Sequence, residues 1–187
     1  MRKETRVIGI DDGPFDKFKK KGNVLVVGTI YRGGNFLDGL VTTKAKVDGT
    51  NSTTKIIEMI NKSKFKKQIR AIMLDGIAVG GFNVIDLVKL NKKTKKPVIA
   101  VIRRKPNVQN VINTLKQIEM HKKVKLIKQL KEPEKIGKIY VQYVGADKEF
   151  VKELLKITTT HSFLPEPIRV AHIIATGLVK GESKGRA

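Results

Sequence analysis

The stretch from Asn23 to Val47 reads NVLVVGTIYR, then Gly33–Gly34, then NFLDGLVTTKAKV. Two long runs rich in Val, Leu, Ile and Thr flank a Gly-Gly pair, which is a strong hairpin signal. A lone hairpin is marginal in water, so these strands need a third partner and a covered face. The run RVIGI, Arg6–Ile10, supplies that partner, and the three strands are expected to form an antiparallel meander.

After Val47 the apolar period changes. In NSTTKIIEMINKSKF the residues Ile56, Ile57, Ile60 and Phe65 fall near helical spacing, with Asn51 or Ser52 as N-cap. QIRAIMLDG then reads as a fourth strand with Asp75 at its end, GGFNVIDLVKLNKKTKK as a helix opened by glycines, and KPVIAVIRR as a fifth strand. NVQNVINTLKQI reads as a helix, and the basic MHKKVKLIKQLKEPEKIGK is expected to follow it as further helix. KIYVQYVG is a further strand, DKEFVKELLKIT a helix capped by Asp147, and Ile168–Val179 the body of a last helix introduced by Pro165 and Pro167. A meander followed by α/β crossovers predicts an α/β fold: a mixed sheet of antiparallel and parallel strands with helices on both faces. There is no repeat, linker or low-complexity block, so residues 1–187 are expected to form one domain, with flexible basic ends at 1–5 and 181–187.

Charge narrows the function. The net charge is +22 over 187 residues, far beyond what solubility requires. Such an excess points to a polyanion partner, foremost DNA and alternatively RNA, through sequence-independent phosphate attraction. Lysine runs such as Lys92–Lys93 also serve to solvate a surface. Aromatics are only 5% with no Trp, which argues against an RNA module that stacks bases on an aromatic sheet. With no cysteine there is no disulfide, thiolate chemistry or Cys-ligated zinc. The N-terminus does not read as a signal peptide and no run approaches membrane-spanning length, so a cytoplasmic location without membrane contact is expected. Neither GxGxxG nor GxxxxGK[ST] occurs, so no nucleotide cofactor is expected.

The candidate chemistry lies at strand ends. Asp11 closes the first strand and Asp75 the fourth. If the two strands are neighbours, both carboxylates emerge at one edge of the sheet, where hard oxygen ligands favour Mg²⁺ or Mn²⁺. Such ions serve phosphodiester cleavage. The competing reading is a set of turns: Asp12–Gly13, Asp38–Gly39, Asp48–Gly49 and Asp75–Gly76 are all turn-forming pairs. Arg103, Arg104 and Lys105 follow the fifth strand, on the same edge if it runs parallel to the fourth. They serve either as phosphate contacts or as a solvated loop. His172 lies in the last helix with Arg169 one turn before it; a lone His on an apolar helix is either a packed residue or, facing the carboxylates, part of a site.

Three segments resemble endonuclease V: VIGIDD its first-strand Asp motif, IMLDGIAVGGFNVIDL its central strand and the glycine segment after it, and LPEPIRVAHIIATGLVKG its C-terminal helix. The DDGPF and GESKGRA segments are similar to those of its small archaeal relatives, the endonuclease dU family. The resemblance implies a ribonuclease-H-like fold and Mg²⁺- or Mn²⁺-dependent cleavage of DNA at deaminated bases, deoxyuridine or deoxyinosine, for repair. It implies Asp11 and Asp75 as metal carboxylates, His172 as the active-site histidine, and Arg103 and Arg169 as basic site residues. The glutamate of endonuclease V's Y-x-P-G…F-R-E segment has no counterpart in AKVDGTNSTTKIIEM, which leaves Asp48 as a catalytic candidate and Asp12 as a metal candidate to replace it. GIAVGGFN also lacks the His and Arg of the family's GHGxAHPR segment. Two alternatives stay open: a non-catalytic nucleic-acid-binding protein on a nuclease-derived fold, and a ribonuclease directed at inosine in RNA.

Overall fold

The computed structural model describes residues 1–16 and 22–183. Its elements are β1 (Arg6–Asp12), β2 (Asn23–Arg32), β3 (Phe36–Lys46), α1 (Ser52–Lys62), β4 (Ala71–Asp75), β5 (Ala78–Val79), β6 (Asn83–Val84), α2 (Leu87–Thr94), β7 (Val98–Ile102), α3 (Val108–Gln117), α4 (His121–Lys128), β8 (Glu134–Ile136), β9 (Ile139–Val144), α5 (Lys148–Thr158) and α6 (Glu166–Lys180).

The main sheet runs β3-β2-β1-β4-β7-β9-β8. The meander β1–β3 is antiparallel, β4 and β7 continue the sheet parallel to β1, and β9 and β8 return antiparallel. This is the expected mixed sheet, with β1 and β4 as neighbours.

Strand periodicity sorts the residues between two cores. On one face Ile8, Ile10, Ile72 and Leu74 pack against Ile56, Met59 and Ile60 of α1 and Leu87 and Leu90 of α2. On the other, Val7, Ala71, Met73, Ile99 and Val101 pack against Val151 and Leu154 of α5 and Ile168 of α6. The near-continuous apolar reading of β1, β4 and β7 follows from burial on both sides.

Helix α6 lies unusually close to the sheet. A Cβ built on Gly9 would fall 2.2 Å from the carbonyl carbon of Pro167, so only glycine admits this approach. Thr29, opposite Gly9 in the β1–β2 register, donates its hydroxyl to the Pro167 carbonyl at 2.6 Å. The first turn of α6 is thereby pinned over the centre of β1.

Two segments differ from expectation. The helix expected from Gly80 begins only at Leu87, where Asp86 caps it by accepting from the Lys89 N–H. Gly80 and Gly81 have φ values of +55° and +82°, a left-handed conformation that no helix continues through. Residues Ala78–Val84 instead form the small β5–β6 hairpin. Asn51 stands at the N-cap of α1 without a side-chain capping bond; its Oδ1 accepts from the Lys46 N–H and the Asn83 amide, so it ties loops together rather than capping. Within 120–138 the structure resolves α4 and the edge strand β8.

At the N-terminus, expected as a flexible tail, the Met1 amino group pairs with Glu153 at 2.7 Å and the Thr5 carbonyl accepts from the Gly33 N–H. Of the C-terminal tail, residues 184–187 lie outside the described residues. No helix among the described residues is long and apolar enough to cross a membrane.

Candidate active site

The alternation that builds the cores also aims the carboxylates. Val7, Gly9 and Asp11 share one face of β1, and Ala71, Met73 and Asp75 share the same face of β4. The parallel register sets Ile10 beside Leu74, so Asp11 and Asp75 leave the sheet side by side. Asp75 pairs in turn with Val101 of β7, and Arg103, two residues on, projects to the same side. All three point toward α6, which supplies His172 from above.

The result is a cleft of about 450 Å³ lined by Asp11, Asp12, Gly13, Pro14, Asp75, Arg103, His172 and Thr176. Asp11 is 5% exposed, and its Oδ2 lies 2.8 Å from His172 Nδ1. Arg103 donates from Nη2 to Asp75 Oδ2 at 2.7 Å. One ligand atom from each of Asp11, Asp75 and His172 falls within 4.8 Å of the others, close enough for a single ion to be shared.

Asp12, the next residue in β1, faces the opposite way by the same alternation. Its Oδ2 accepts from the Gly80 N–H at 2.9 Å, which attaches the β5–β6 hairpin to the end of β1. Adjacent carboxylates thus have different partners.

The electrostatics mark the cleft as short of positive charge. Burial pushes the Asp12 carboxyl up to about 7, against the pull of the Gly80 N–H. Burial, and after it the negative charge of Asp11, pushes Asp75 up to about 6 although Arg103 is bonded to it. The hydrogen bond to Asp11 raises His172 above the ordinary imidazole value. Hard oxygen donors, partly buried and mutually repelling, fit a divalent cation such as Mg²⁺ or Mn²⁺. Asp11 and Asp75 each keep one carboxylate oxygen that neither His172 nor Arg103 occupies in the bonds above.

These shifts carry a testable sign. Between about pH 4 and 7 the folded chain holds more protons on Asp12 and Asp75 than the unfolded chain does, so their contribution to stability falls as pH rises through that window. A cation that binds the ionised carboxylates reverses that loss. Millimolar Mn²⁺ is therefore expected to raise the melting temperature by about 5 °C or more near pH 8 and by almost nothing near pH 4.5. Differential scanning fluorimetry across that range measures it; an equal shift at both pH values would contradict it.

The remaining expected site residues lie apart from this group. Asp48 adopts φ +51°, its Oδ1 accepts from the Phe82 N–H at 2.8 Å, its N–H donates to the Gly80 carbonyl, and its own carbonyl accepts from buried Lys123 at 2.7 Å. It braces the β5–β6 hairpin and does not line the cleft. Arg169 forks onto buried Glu166 with Nε and Nη2, the shortest contact being 2.7 Å, and likewise does not line it. Arg104 and Lys105 are exposed on the loop after Arg103. Sequence reasoning missed Thr176, whose buried hydroxyl lines the cleft with no hydrogen-bond partner among the described residues; its spacing of four residues from His172 was the available signal.

A second hollow lies past the ends of β4 and β7. It holds about 320 Å³ and its walls are mainly apolar, including Ile77, Ala78, Phe82, Ile102 and Val108, with Gln142 of β9 as its one polar side chain. Gly76 and Ile102 line it too, the chain neighbours of Asp75 and Arg103, and Gln142, paired with Ala100, enters it from the α1–α2 face of the sheet, opposite to the face that carries Asp11 and Asp75.

The fold is ribonuclease-H-like, a nuclease-type fold, with an acid–histidine cleft at the edge where its parallel strands end. Human endonuclease V has the same fold: TM-score 0.56 at 13% identity, covering 91% of this chain and 82% of that one. Endonuclease V of Ciona intestinalis, solved with inosine-containing DNA, gives 0.56 at 16% over 89% and 82%. The chain belongs to the endonuclease dU family, whose model matches residues 3–179. Among its relatives, a UPF0215 protein of Methanocaldococcus jannaschii is 45% identical over 181 residues, covering 96% of this chain and 97% of that protein. One from Methanothermobacter thermautotrophicus is 42% identical over 196 residues, covering 100% and 94%. The crystal structure of an Archaeoglobus fulgidus protein of unknown function matches with TM-score 0.85 and 34% identity, over 93% of this chain and 97% of that one.

Proposed function

We propose that the chain is a Mg²⁺- or Mn²⁺-dependent endonuclease that cuts DNA at deaminated bases, deoxyuridine or deoxyinosine. The observation that carries the reading is the cluster of Asp11, Asp75 and His172, with ligand atoms within 4.8 Å of one another in an open cleft. Family membership and the fold shared with endonuclease V support it.

Asp11 and Asp75 would hold the ion, which supplies Lewis-acid stabilisation for the charge that builds on a phosphoryl group during displacement. The chain's own residues do the rest. Asp11 orients His172 by holding Nδ1 and favours its protonated form, so that as a water oxygen bonds to the phosphorus and the sugar oxygen departs, His172 gives that oxygen the proton from Nε2. Arg103 holds Asp75 in place and offers its guanidinium to a non-bridging phosphate oxygen. Arg104 and Lys105, exposed just beyond, meet flanking phosphates, and the +22 net charge draws the strand in. The apolar hollow past the ends of β4 and β7 suits an unstacked base: its size falls at the lower end of small-ligand sites, and a base in a mispair costs least to extrude.

Labelled oligonucleotides carrying one deoxyuridine or deoxyinosine test the reading. Purified protein is expected to nick them with Mg²⁺ or Mn²⁺ and to leave them intact in EDTA. Failure to cut deoxyuridine, deoxyinosine and unmodified DNA with either metal would overturn it, and cutting of inosine-containing RNA alone would move the activity to RNA.

A further inference from the structure

Gln142 stands out in the hollow past the ends of β4 and β7. It is 5% exposed and faces the hollow from β9, the one polar side chain among apolar walls. Its Nε2 donates to the Lys131 carbonyl at 2.7 Å. That bond fixes the amide plane, and no described residue donates to Oε1. Once a ligand fills the hollow and displaces its water, a carbonyl oxygen without a donor is costly unless the ligand supplies one.

We propose that Gln142 separates a deaminated base from its parent: its Oε1 accepts a hydrogen bond from the ring imino N–H that deamination creates, which cytosine and adenine lack. The chemistry is general to deaminated bases. Cytosine presents a lone pair at N3; uracil presents N3–H there. Adenine presents a lone pair at N1; hypoxanthine presents N1–H. An oriented acceptor therefore meets a donor in each deaminated base and a second lone pair in each parent. The parent base leaves Oε1 covered and opposed, which rejects it by the cost of an unpaired polar group. Neither the apolar walls nor the phosphate contacts make that distinction. The hollow, about 320 Å³, admits purine and pyrimidine rings alike, so one acceptor serves both. The inference rests on the reading that the chain acts at deaminated bases and adds which atom distinguishes them.

The test is binding in EDTA, where no cutting is expected, measured by fluorescence anisotropy on oligonucleotides with a single dU, dC or N3-methyl-dU. Wild-type protein is expected to bind dU about tenfold or more tighter than dC or N3-methyl-dU, the size of one buried hydrogen bond. Gln142→Leu is expected to bind all three alike, near the wild-type affinity for dC. Equal wild-type affinity for dU and N3-methyl-dU would overturn the proposal, as would a Gln142→Leu protein that keeps the preference. The wild-type comparison needs no variant, so it decides the matter even if Gln142→Leu does not fold. Metal-dependent nicking without a Gln142-dependent preference would sink this inference and spare the nuclease reading. A Gln142-dependent preference without nicking would do the reverse.

Discussion

Asp75→Asn is expected to lower metal-dependent nicking by about three orders of magnitude or more, with no loss of folded stability. The size follows from the several kilocalories per mole that a correctly held ion supplies, at about 1.4 kcal/mol per factor of ten. The stability half of the prediction is less intuitive. Burial and the neighbouring Asp11 already hold the Asp75 carboxyl up at about 6, so its charge at neutral pH is a cost to the metal-free fold. Asparagine keeps the shape and removes that cost. The variant is expected to melt no lower than wild type without metal, and to lose most of the Mn²⁺-induced rise in melting temperature. Asp11→Asn is expected to match it in activity. Single-turnover nicking beside thermal melts separates these outcomes; a variant that still cuts within tenfold of wild type would remove Asp75 from the site.

The second large effect involves no charge. Gly9→Ala is expected to cost about 3 kcal/mol, at the upper end for overpacking, and to lower the melting temperature by about 6–12 °C in a chain of this size. The new methyl would lie 2.2 Å from the Pro167 carbonyl carbon and 2.5 Å from its oxygen. Backbone atoms at that distance cannot rotate away, so α6 must lift. Lifting α6 breaks the Thr29–Pro167 bond and carries His172, five residues along, away from Asp11. Nicking is therefore expected to fall with stability. Thermal unfolding with and without the substitution reads the first effect and activity at low temperature the second; an unchanged melting point would mean that α6 does not sit as described.

Both predictions draw on features partly legible in the sequence. RVIGI and AIML are continuous apolar runs each closed by an aspartate, and a parallel pairing of the two strands is enough to bring Asp11 and Asp75 to one edge. His172 could not be placed in the same way. A histidine on an apolar helix reads alike whether packed or functional, and its side is set by how closely α6 approaches Gly9, a contact between distant parts of the chain. The helix expected from Gly80 does not form there because two consecutive glycines take left-handed φ values that belong to a turn, and these outweigh the apolar spacing that follows them.

The chain's own order of residues determined the meander, the strand-end position of Asp11 and Asp75, the basic character and the helices of regular period, because these depend on spacings of two to four residues. Only the packed structure decided the partners. Asp12 turned to the Gly80 N–H, Asp48 to the β5–β6 hairpin and Arg169 to Glu166. Arg103 turned to Asp75, and Gln142 into the hollow past the ends of β4 and β7. Each of these outcomes depends on which distant backbone or side chain arrives alongside, and burial then sets the cost of leaving any such group without a partner.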